Sequence, residues 1–202
     1  MKKVLLVAAM SIVGIGSASA NELIVNGSFE AQAVTGPFGY NRLAPTGWTS
    51  HAAVEGIVLF NDSYQPVADG LNAIQLERPG DFISQSFSTI AGQRYQVSFA
   101  LSGYHSTGQA SDNGGLNLRV TFGDTNVTVA APLGNTPATQ TLNFYAVAGT
   151  TSSTLKFESL GTILNSYPQL DNVSVSAVPE PETYALMLAG LAGLALLRRR
   201  KD

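Results

Sequence analysis

The residues of this chain that could carry catalysis are carboxylates and two histidines, because the sequence contains no cysteine. Thiol chemistry and cysteine-ligated metal sites are thereby excluded. His51 and His105 show no metal-ligand spacing such as His-x-x-x-His, and no Gly-x-Ser-x-Gly element marks a nucleophilic serine. A glycosidase needs only two carboxylates at a fixed separation, but Asp69 and Asp81 each adjoin a glycine, as in turns. The pattern therefore favours a protein that is not an enzyme.

Sugar binding by aromatic side chains is a second chemistry open to the chain. Aromatic rings stack on the C–H groups of pyranose rings while polar neighbours bind the hydroxyls. Trp48 is the only tryptophan, and Tyr104 and His105 lie in a polar stretch that predicts a long loop over 102–115. We predict glycan contacts from Trp48, Tyr104 and His105, which Tyr64 could join. For Trp48 the alternative, a residue of the hydrophobic core, is favoured.

Alternating apolar and polar residues dominate the central part of the chain, and this period of two predicts β-strands with one buried face. The clearest example places Tyr95, Val97, Phe99 and Leu101 on one face. The predicted strands lie at 23–25, 57–60, 73–77, 82–87, 95–101, 116–122, 127–129, 141–147, 155–157 and 170–175. About ten short strands with turns at this spacing predict an all-β fold, a two-sheet β-sandwich.

Two further stretches predict connecting segments rather than strands. Residues 31–47 predict a second long loop, and residues 174–182 predict a linker after the last strand. By contrast, the residues around Gly123 and Asp124 suit a tight hairpin turn.

The charge of the central part argues against nucleic-acid binding. Residues 21–178 contain five lysines and arginines against eleven acidic residues, a net charge of −6. A basic surface that would bind phosphate is therefore absent. Without cysteine, a domain of this size must be held together by its core rather than by disulfides.

The N-terminal segment has the composition of a signal peptide. Lys2 and Lys3 precede an apolar stretch over 4–15, and Ala18-Ser19-Ala20 fits the small-x-small pattern of a cleavage site. We therefore predict a signal peptide over 1–20, cleavage after Ala20, and export by the general secretory route.

The C-terminal segment combines three features in a fixed order: Pro179-Glu180-Pro181, an uncharged run over 183–197, and four consecutive cations over 198–201. The run is rich in leucine and alanine, which favours a helix. Its fifteen residues reach about 22 Å, less than the ~30 Å of a hydrocarbon core. Because cations favour the cytoplasmic side, we predict a hydrophobic helix that anchors the chain transiently in the inner membrane.

This segment, over 177–202, resembles the PEP-CTERM sorting signal. The resemblance implies that an exosortase, a membrane-embedded transpeptidase-like enzyme, cuts near Pro179, Glu180 and Pro181 and releases or re-anchors the preceding domain. It also implies a Gram-negative bacterium that makes exopolysaccharide, with the product at the cell surface or in the extracellular matrix. The tail is thus interpreted as a processing substrate.

The central domain, over 21–176, resembles galactose-binding-like jelly rolls, most of all bacterial choice-of-anchor surface proteins and a related plant cell-wall family. The landmarks are Leu-Ile-Val-Asn-Gly-Ser-Phe-Glu at 23–30, Gly-Trp-Thr at 47–49, Asp-Gly-Leu-Asn at 69–72 and Leu-Asp-Asn-Val at 170–173. The resemblance implies a jelly-roll β-sandwich. In the related carbohydrate-binding modules, acids at the positions of Glu30 and Asp171 ligate a structural calcium, which implies calcium as a cofactor here.

Two functions from different classes remain open. The first is an exported, non-catalytic surface or matrix protein that associates with exopolysaccharide through weak glycan contacts. The second is a purely structural matrix or biofilm protein without a defined sugar site. Polysaccharide binding by residues 21–178 separates the two.

Overall fold

The computed structural model describes residues 22–51, 56–105, 116–132, 136–145, 150–161, 166–179, 188–192 and 198. In these residues eleven strands follow one another, which confirms the all-β prediction. They are β1 (Tyr40–Arg42), β2 (Thr49–Ser50), β3 (Ile57–Asn61), β4 (Asn72–Leu76), β5 (Phe82–Ser88), β6 (Arg94–His105), β7 (Asn117–Phe122), β8 (Thr125–Ala130), β9 (Ala138–Tyr145), β10 (Ser152–Ser159) and β11 (Ser166–Ala177).

The strands form two antiparallel sheets packed face to face. One sheet has six strands in the order β1-β3-β4-β11-β6-β9, and the other has five in the order β2-β5-β10-β7-β8. β11, the last strand, therefore lies in the middle of the six-stranded sheet, between β4 and β6. This arrangement is a jelly-roll β-sandwich, as predicted.

The core between the sheets is filled by every second residue of the long strands. In β6 the predicted inward set of Tyr95, Val97, Phe99 and Leu101 is buried. Burying one such side chain contributes about 1.5–3 kcal/mol, so the alternating strands supply the main stabilisation. The opposite sheet contributes Ile83, Leu118, Val120, Phe122, Leu155 and Phe157.

Local differences from the prediction have identifiable causes. The predicted strand over 23–25 runs along β11, where Leu23 N donates to Val175 O. However, the next two amides donate to the side chains of Glu22 and Gln85, so no strand ladder forms. Inside the predicted loop over 31–47, β1 pairs with β3. The predicted hairpin is confirmed, since β7 and β8 are joined by the two residues Gly123 and Asp124.

The pair formed by β6 and β11 is longer at both ends than the sequence pattern indicated. It runs from Ser166 opposite His105 to Ala177 opposite Tyr95. The predicted loop over 102–115 is therefore wrong for 102–105, which are strand, and 106–115 lie outside the described residues. The predicted linker over 174–182 is wrong for 174–177, because β6 offers these small residues a complete row of backbone partners.

The two terminal segments lie largely outside the described residues. These include the signal peptide over 1–20 with Ala20, both Glu180 and Pro181, and most of the predicted helix over 183–197. Of the tail, residues 188–192 and residue 198 are helical. Within the part of the chain that the structure describes, no helix has the length and apolar character needed to cross a membrane.

Candidate functional site

The outward faces of the two sheets differ in chemistry. On the five-stranded sheet, Glu158 lies 2.8 Å from Lys156 and 3.5 Å from Arg119, as expected of a solvated surface. The outward face of the six-stranded sheet instead carries a second apolar cluster, built on Val58 and Phe60. Among the described residues, the apolar, aromatic cluster on the six-stranded sheet makes that face the candidate site.

Five aromatic rings follow one another across this face and are called the aromatic row. Ring centroids are 6.4 Å apart for Phe38 and Tyr40, 5.2 Å for Tyr40 and Tyr64, and 6.4 Å for Tyr64 and Tyr104. The row ends at Tyr167, whose ring is 5.9 Å from that of Tyr104 and only 8° from parallel. The four tyrosines are partly exposed, and Phe38 is 73% exposed, so the ring surfaces are accessible from solvent.

Strand pairing and one connecting segment bring these rings together. Tyr104 and Tyr167 are direct cross-strand partners on β6 and β11. Tyr40 lies on β1 opposite Phe60. Tyr64 comes from the segment 62–71, which folds back over the sheet so that its residues 66–68 line one narrow crevice with residues of β4, β6 and β11. Rings from distant parts of the chain therefore share one surface.

A chain of polar side chains, called the polar chain, crosses the same face. Ser102 donates to Gln169 Oε1 at 3.1 Å, and Gln169 Nε2 donates to Gln75 Oε1 at 3.0 Å. Gln75 Nε2 donates to Glu77 Oε1 at 3.2 Å, and Arg42 Nη1 donates to Glu77 Oε2 at 2.6 Å. Both glutamines are buried, and a connected network of this kind fixes the direction of each amide.

Electrostatics keep this face uncharged overall. The hydrogen bond that Arg42 donates to Glu77 raises the pKa of Arg42 above its usual value, so the ion pair stays formed. Burial raises the pKa of Tyr64, so its phenol stays neutral and can donate a hydrogen bond. The face can therefore offer partly exposed rings and phenol hydroxyls to a polar but neutral ligand.

Glu30 and Asp171 meet at one turn, and together they form what we call the carboxylate clamp. Asp171 Oδ2 accepts the amides of residues 68 and 69 at 2.7 and 2.8 Å. Glu30 Oε1 accepts the amides of residues 71 and 72 at 2.8 and 2.7 Å. The clamp thus fixes the end of the segment that carries Tyr64.

Close packing of the N-terminal segment on β11 brings the two acids together. Val173 N donates to Gly27 O at 2.9 Å, and a methyl group on Gly27 would lie 1.9 Å from Val173 O. The pairing of β11 with β6 shifts register between Asp171 and Ser174, and Asn172 has a φ of 48° there. This β-bulge directly follows Asp171, which faces outward like Tyr167 and Gln169 by the regular alternation of β11.

Backbone N–H groups occupy the carboxylate oxygens of the clamp, which matters for the predicted calcium site. Calcium needs six to eight oxygen ligands, but the clamp oxygens already accept backbone N–H groups, and Asp171 Oδ1 accepts Asn172 N at 2.6 Å. No group of three or more histidine and acidic side chains able to hold a metal occurs among the described residues. In this conformation Glu30 and Asp171 fit a clamp on the turn, which is the alternative to the calcium site that the family resemblance implies.

Of the predicted glycan-binding residues, Tyr104 lies in the aromatic row, as does Tyr64, which could join them. Trp48 is 7% exposed, donates its indole N–H to Asn26 O at 3.0 Å, and packs against Phe29 and Phe157. Its environment is that of the favoured alternative, a core residue. His105 is the last residue of β6, and its side chain lies outside the described residues.

Several residues of the site were not predicted. Extending the alternation of β11 back from Leu170 would have placed Gln169 and Tyr167 on the outward face. Tyr40 gave no such signal, because β1 has three residues and depends on pairing with β3.

The fold is shared with jelly-roll domains of known structure, carbohydrate-binding modules among them. TmCBM61, solved with β-1,4-galactotriose, is 15% identical with a TM-score of 0.51, covering 79% of this chain and 100% of its own. A cyclase from Fischerella sp. TAU, solved with 4-(1H-indol-3-yl)butan-2-one, is 17% identical with a TM-score of 0.58, covering 79% and 98%. The enzymatically active domain of tailspike protein 4 from bacteriophage CBA120 is 14% identical with a TM-score of 0.51, covering 78% and 21%. At these identities the likeness shows the fold alone, and binding and catalytic proteins both use it.

Two family models divide the chain. The model described as "Protein of unknown function (DUF642)" matches residues 22–176, and the chain belongs to this family. The PEP-CTERM protein-sorting motif matches residues 177–201, as predicted from the tail. No curated protein sequence matches this chain.

Proposed function

We propose that this chain is an exported, non-catalytic protein that binds extracellular polysaccharide weakly through the aromatic row. An exosortase processes it near Pro179, Glu180 and Pro181, and the product stays at the cell surface or in the extracellular matrix of a Gram-negative bacterium. The observation that carries the binding proposal is the aromatic row lying over the polar chain.

The chemistry of the face supports a neutral glycan as ligand. Stacked rings bury the C–H faces of sugars, and the phenol hydroxyls of the tyrosines suit sugar hydroxyls. The charge of Arg42 is paired with Glu77, and the exported domain has a net charge of −6, which disfavours anionic polymers.

The roles of the carboxylates support a protein without catalysis. Glu30 and Asp171 hold the turn at 68–72, and Glu77 is paired with Arg42. Asp81 accepts the amide of Arg78 at 2.7 Å inside a turn, and burial raises its pKa. A glycosidase needs two carboxyl groups facing a shared substrate cleft, whereas these are engaged in structural contacts.

Affinity electrophoresis tests the binding proposal. Polysaccharides in the gel should retard the exported protein, more strongly for neutral than for acidic polymers. Tyr104→Ala and Tyr167→Ala are each expected to weaken retardation about tenfold, since one stacked ring contributes about 1–1.5 kcal/mol. Tyr145→Ala is the matched control, because Tyr145 is an exposed tyrosine of β9 outside the row. Equal retardation of all variants would contradict the site, and no retardation on any polymer would favour a purely structural matrix protein.

The match to the sorting motif supports exosortase processing, with the helix over 183–197 as a transient inner-membrane anchor. Mass spectrometry of the exported product tests it in strains with and without the exosortase. Cleavage near residues 179–181 only when the exosortase is present is expected. Secreted material that extends intact through Asp202 would contradict it.

A further inference from the structure

The structure assigns a membrane-contacting role to one end of the sandwich. We propose that the end from which the tail leaves lies against the lipid interface while the tail still anchors the chain. This membrane-facing end consists of the turn 90–94, Tyr145 and Val178. The inference rests on the proposed anchoring by residues 183–197, but it is independent of glycan binding.

The tail leaves from a fixed point. Ala177 is the last residue of β11 and pairs with Tyr95. Val178 continues this contact, because its N–H donates to Arg94 O at 2.9 Å and its carbonyl accepts Gln93 Nε2 at 2.6 Å. The folded part therefore extends to the residue directly before Pro179, and no slack chain separates the fold from the sorting motif.

The remaining tether is short. Five residue steps separate Val178 from Thr183, where the apolar run begins. Fully extended, they reach about 17 Å. The headgroup layer on one side of a bilayer takes about 5–7 Å of this. The radius of gyration of a domain of this length is about 15 Å, so the domain cannot move away from the lipid surface by as much as its own radius.

The side chains at the exit point suit such a surface. Ile90 is 69% exposed at the tip of the turn, and Tyr145 is 64% exposed. Arg94 lies opposite Tyr145 in the β6–β9 pair and is also exposed. Tyrosine and arginine are typical of membrane interfaces because each combines an apolar body with a polar end. Single exposed apolar residues are common on proteins, but Ile90 and Tyr145 both lie next to the point where the tail leaves the fold.

Hydrogen bonds fix the backbone conformation of the turn, so the side chain of Ile90 stays exposed to solvent. Ile90 N donates to the hydroxyl of buried Tyr95 at 2.9 Å, and Gln93 N donates to Ile90 O at 3.0 Å. Glu22, an acid near this end, has its carboxylate engaged by the amides of Ile24 and Val175. The contact is therefore apolar and interfacial, and it does not require anionic lipids.

The opposite end of the sandwich supplies a matched reference position. The turn at 78–81 lies at the other end of β5, and seven strand residues separate the two turns by about 23 Å. Pro79 is exposed on that turn. If the exit end faces the lipid, Pro79 points away from it.

The absence of cysteine makes site-directed fluorescence the appropriate experiment. The exported chain, residues 21–202, is placed in phosphatidylcholine vesicles with an environment-sensitive label on Ile90→Cys, Tyr145→Cys or Pro79→Cys. Labels at 90 and 145 are expected to emit at shorter wavelength and to be quenched at least about twofold more by shallow spin-labelled lipids than the label at 79.

Two results would overturn the inference. Equal, water-like emission at 90, 145 and 79 in chain that floats with vesicles would show that the exit end does not touch lipid. Chain that fails to float would remove the anchoring on which the inference rests. Neither result affects retardation by polysaccharide, so a failure of the glycan proposal is seen separately. Ile90→Cys and Tyr145→Cys report independently, and agreement between them guards against a local folding defect.

Discussion

Protonation of Asp171 is expected to set the pH dependence of the stability of this domain. Asp171 is 3% exposed, and burial raises its pKa to about 6, although backbone amides of residues 69, 68 and 172 favour the charged form. Burial therefore outweighs three hydrogen bonds at 2.8, 2.7 and 2.6 Å.

The sign of the effect follows from proton linkage. The folded-state pKa of about 6 lies above the ordinary value of 3.8, so the folded state binds the proton more tightly than the unfolded chain. The stabilising contribution is complete below pH 3.8 and is lost as the pH rises through 6. The difference between the two pKa values corresponds to about 3 kcal/mol, a large part of the ~5–15 kcal/mol that typically stabilises a domain.

Urea unfolding of the wild type and of Asp171→Asn, with EDTA present throughout, measures this contribution. The variant does not titrate at this position. Burial also raises the pKa of Asp81, but Asp81 is present in both proteins, so its contribution to the pH dependence cancels in the comparison. Between about pH 4 and about pH 7, the wild type is expected to lose about 2.5 kcal/mol relative to the variant, because at pH 4 the unfolded carboxyl is already partly ionised. A difference that stays constant with pH would refute the reasoning.

Excess calcium is expected to leave the melting temperature within about 1 °C of its value in EDTA, because amide donors surround Glu30 and Asp171. A rise of several degrees that Glu30→Gln abolishes would establish a calcium site instead. Gly27→Ala is expected to cost about 3 kcal/mol or more of unfolding free energy, because its methyl group would meet a β11 carbonyl oxygen at 1.9 Å. Gly92→Ala, with a φ of 76° and no atom within 4 Å of the new methyl, costs about 1–2 kcal/mol, so equal losses in urea unfolding would contradict the steric argument. The emission of Trp48 is expected to be weakly quenched by iodide and unchanged by polysaccharide, since its ring is a core residue; strong iodide quenching would show an accessible ring.

The sequence predicted the strands because their alternation is local. Val97 and Phe99 point inward by the same period that places Ser98 outward, and no other part of the chain is needed to see this. The aromatic row was not predictable in the same way. Tyr40, Tyr104 and Tyr167 come to share one face through strand order and register, because Tyr40 pairs with Phe60 on another strand and Tyr104 pairs with Tyr167, 63 residues further along the chain.

The ends of strands were less predictable than their centres. Residues 174–177 are mostly small and polar, a composition typical of a linker, yet they are strand because β6 provides partners for their backbone. The carboxylate clamp was foreseen as a meeting of Glu30 and Asp171, through the family resemblance. What they bind could not be foreseen, because the amides at 68–72 reach them only when the connecting segment folds back over the sheet.

The position of β11 has a consequence for the order of events during export. This strand is the last to leave a channel that threads the chain from its N-terminus, yet it lies between β4 and β6 at the centre of its sheet. The first residues of the domain also pair with β11, because Leu23 N donates a backbone hydrogen bond to Val175 O. Until Ser166–Ala177 has been translocated, β4 and β6 lack the strand that lies between them, and the N-terminal residues lack their backbone partner on β11. Pairing between such distant segments is also intrinsically slow. For the proposed export through a secretory channel, this topology is expected to postpone folding until translocation is complete.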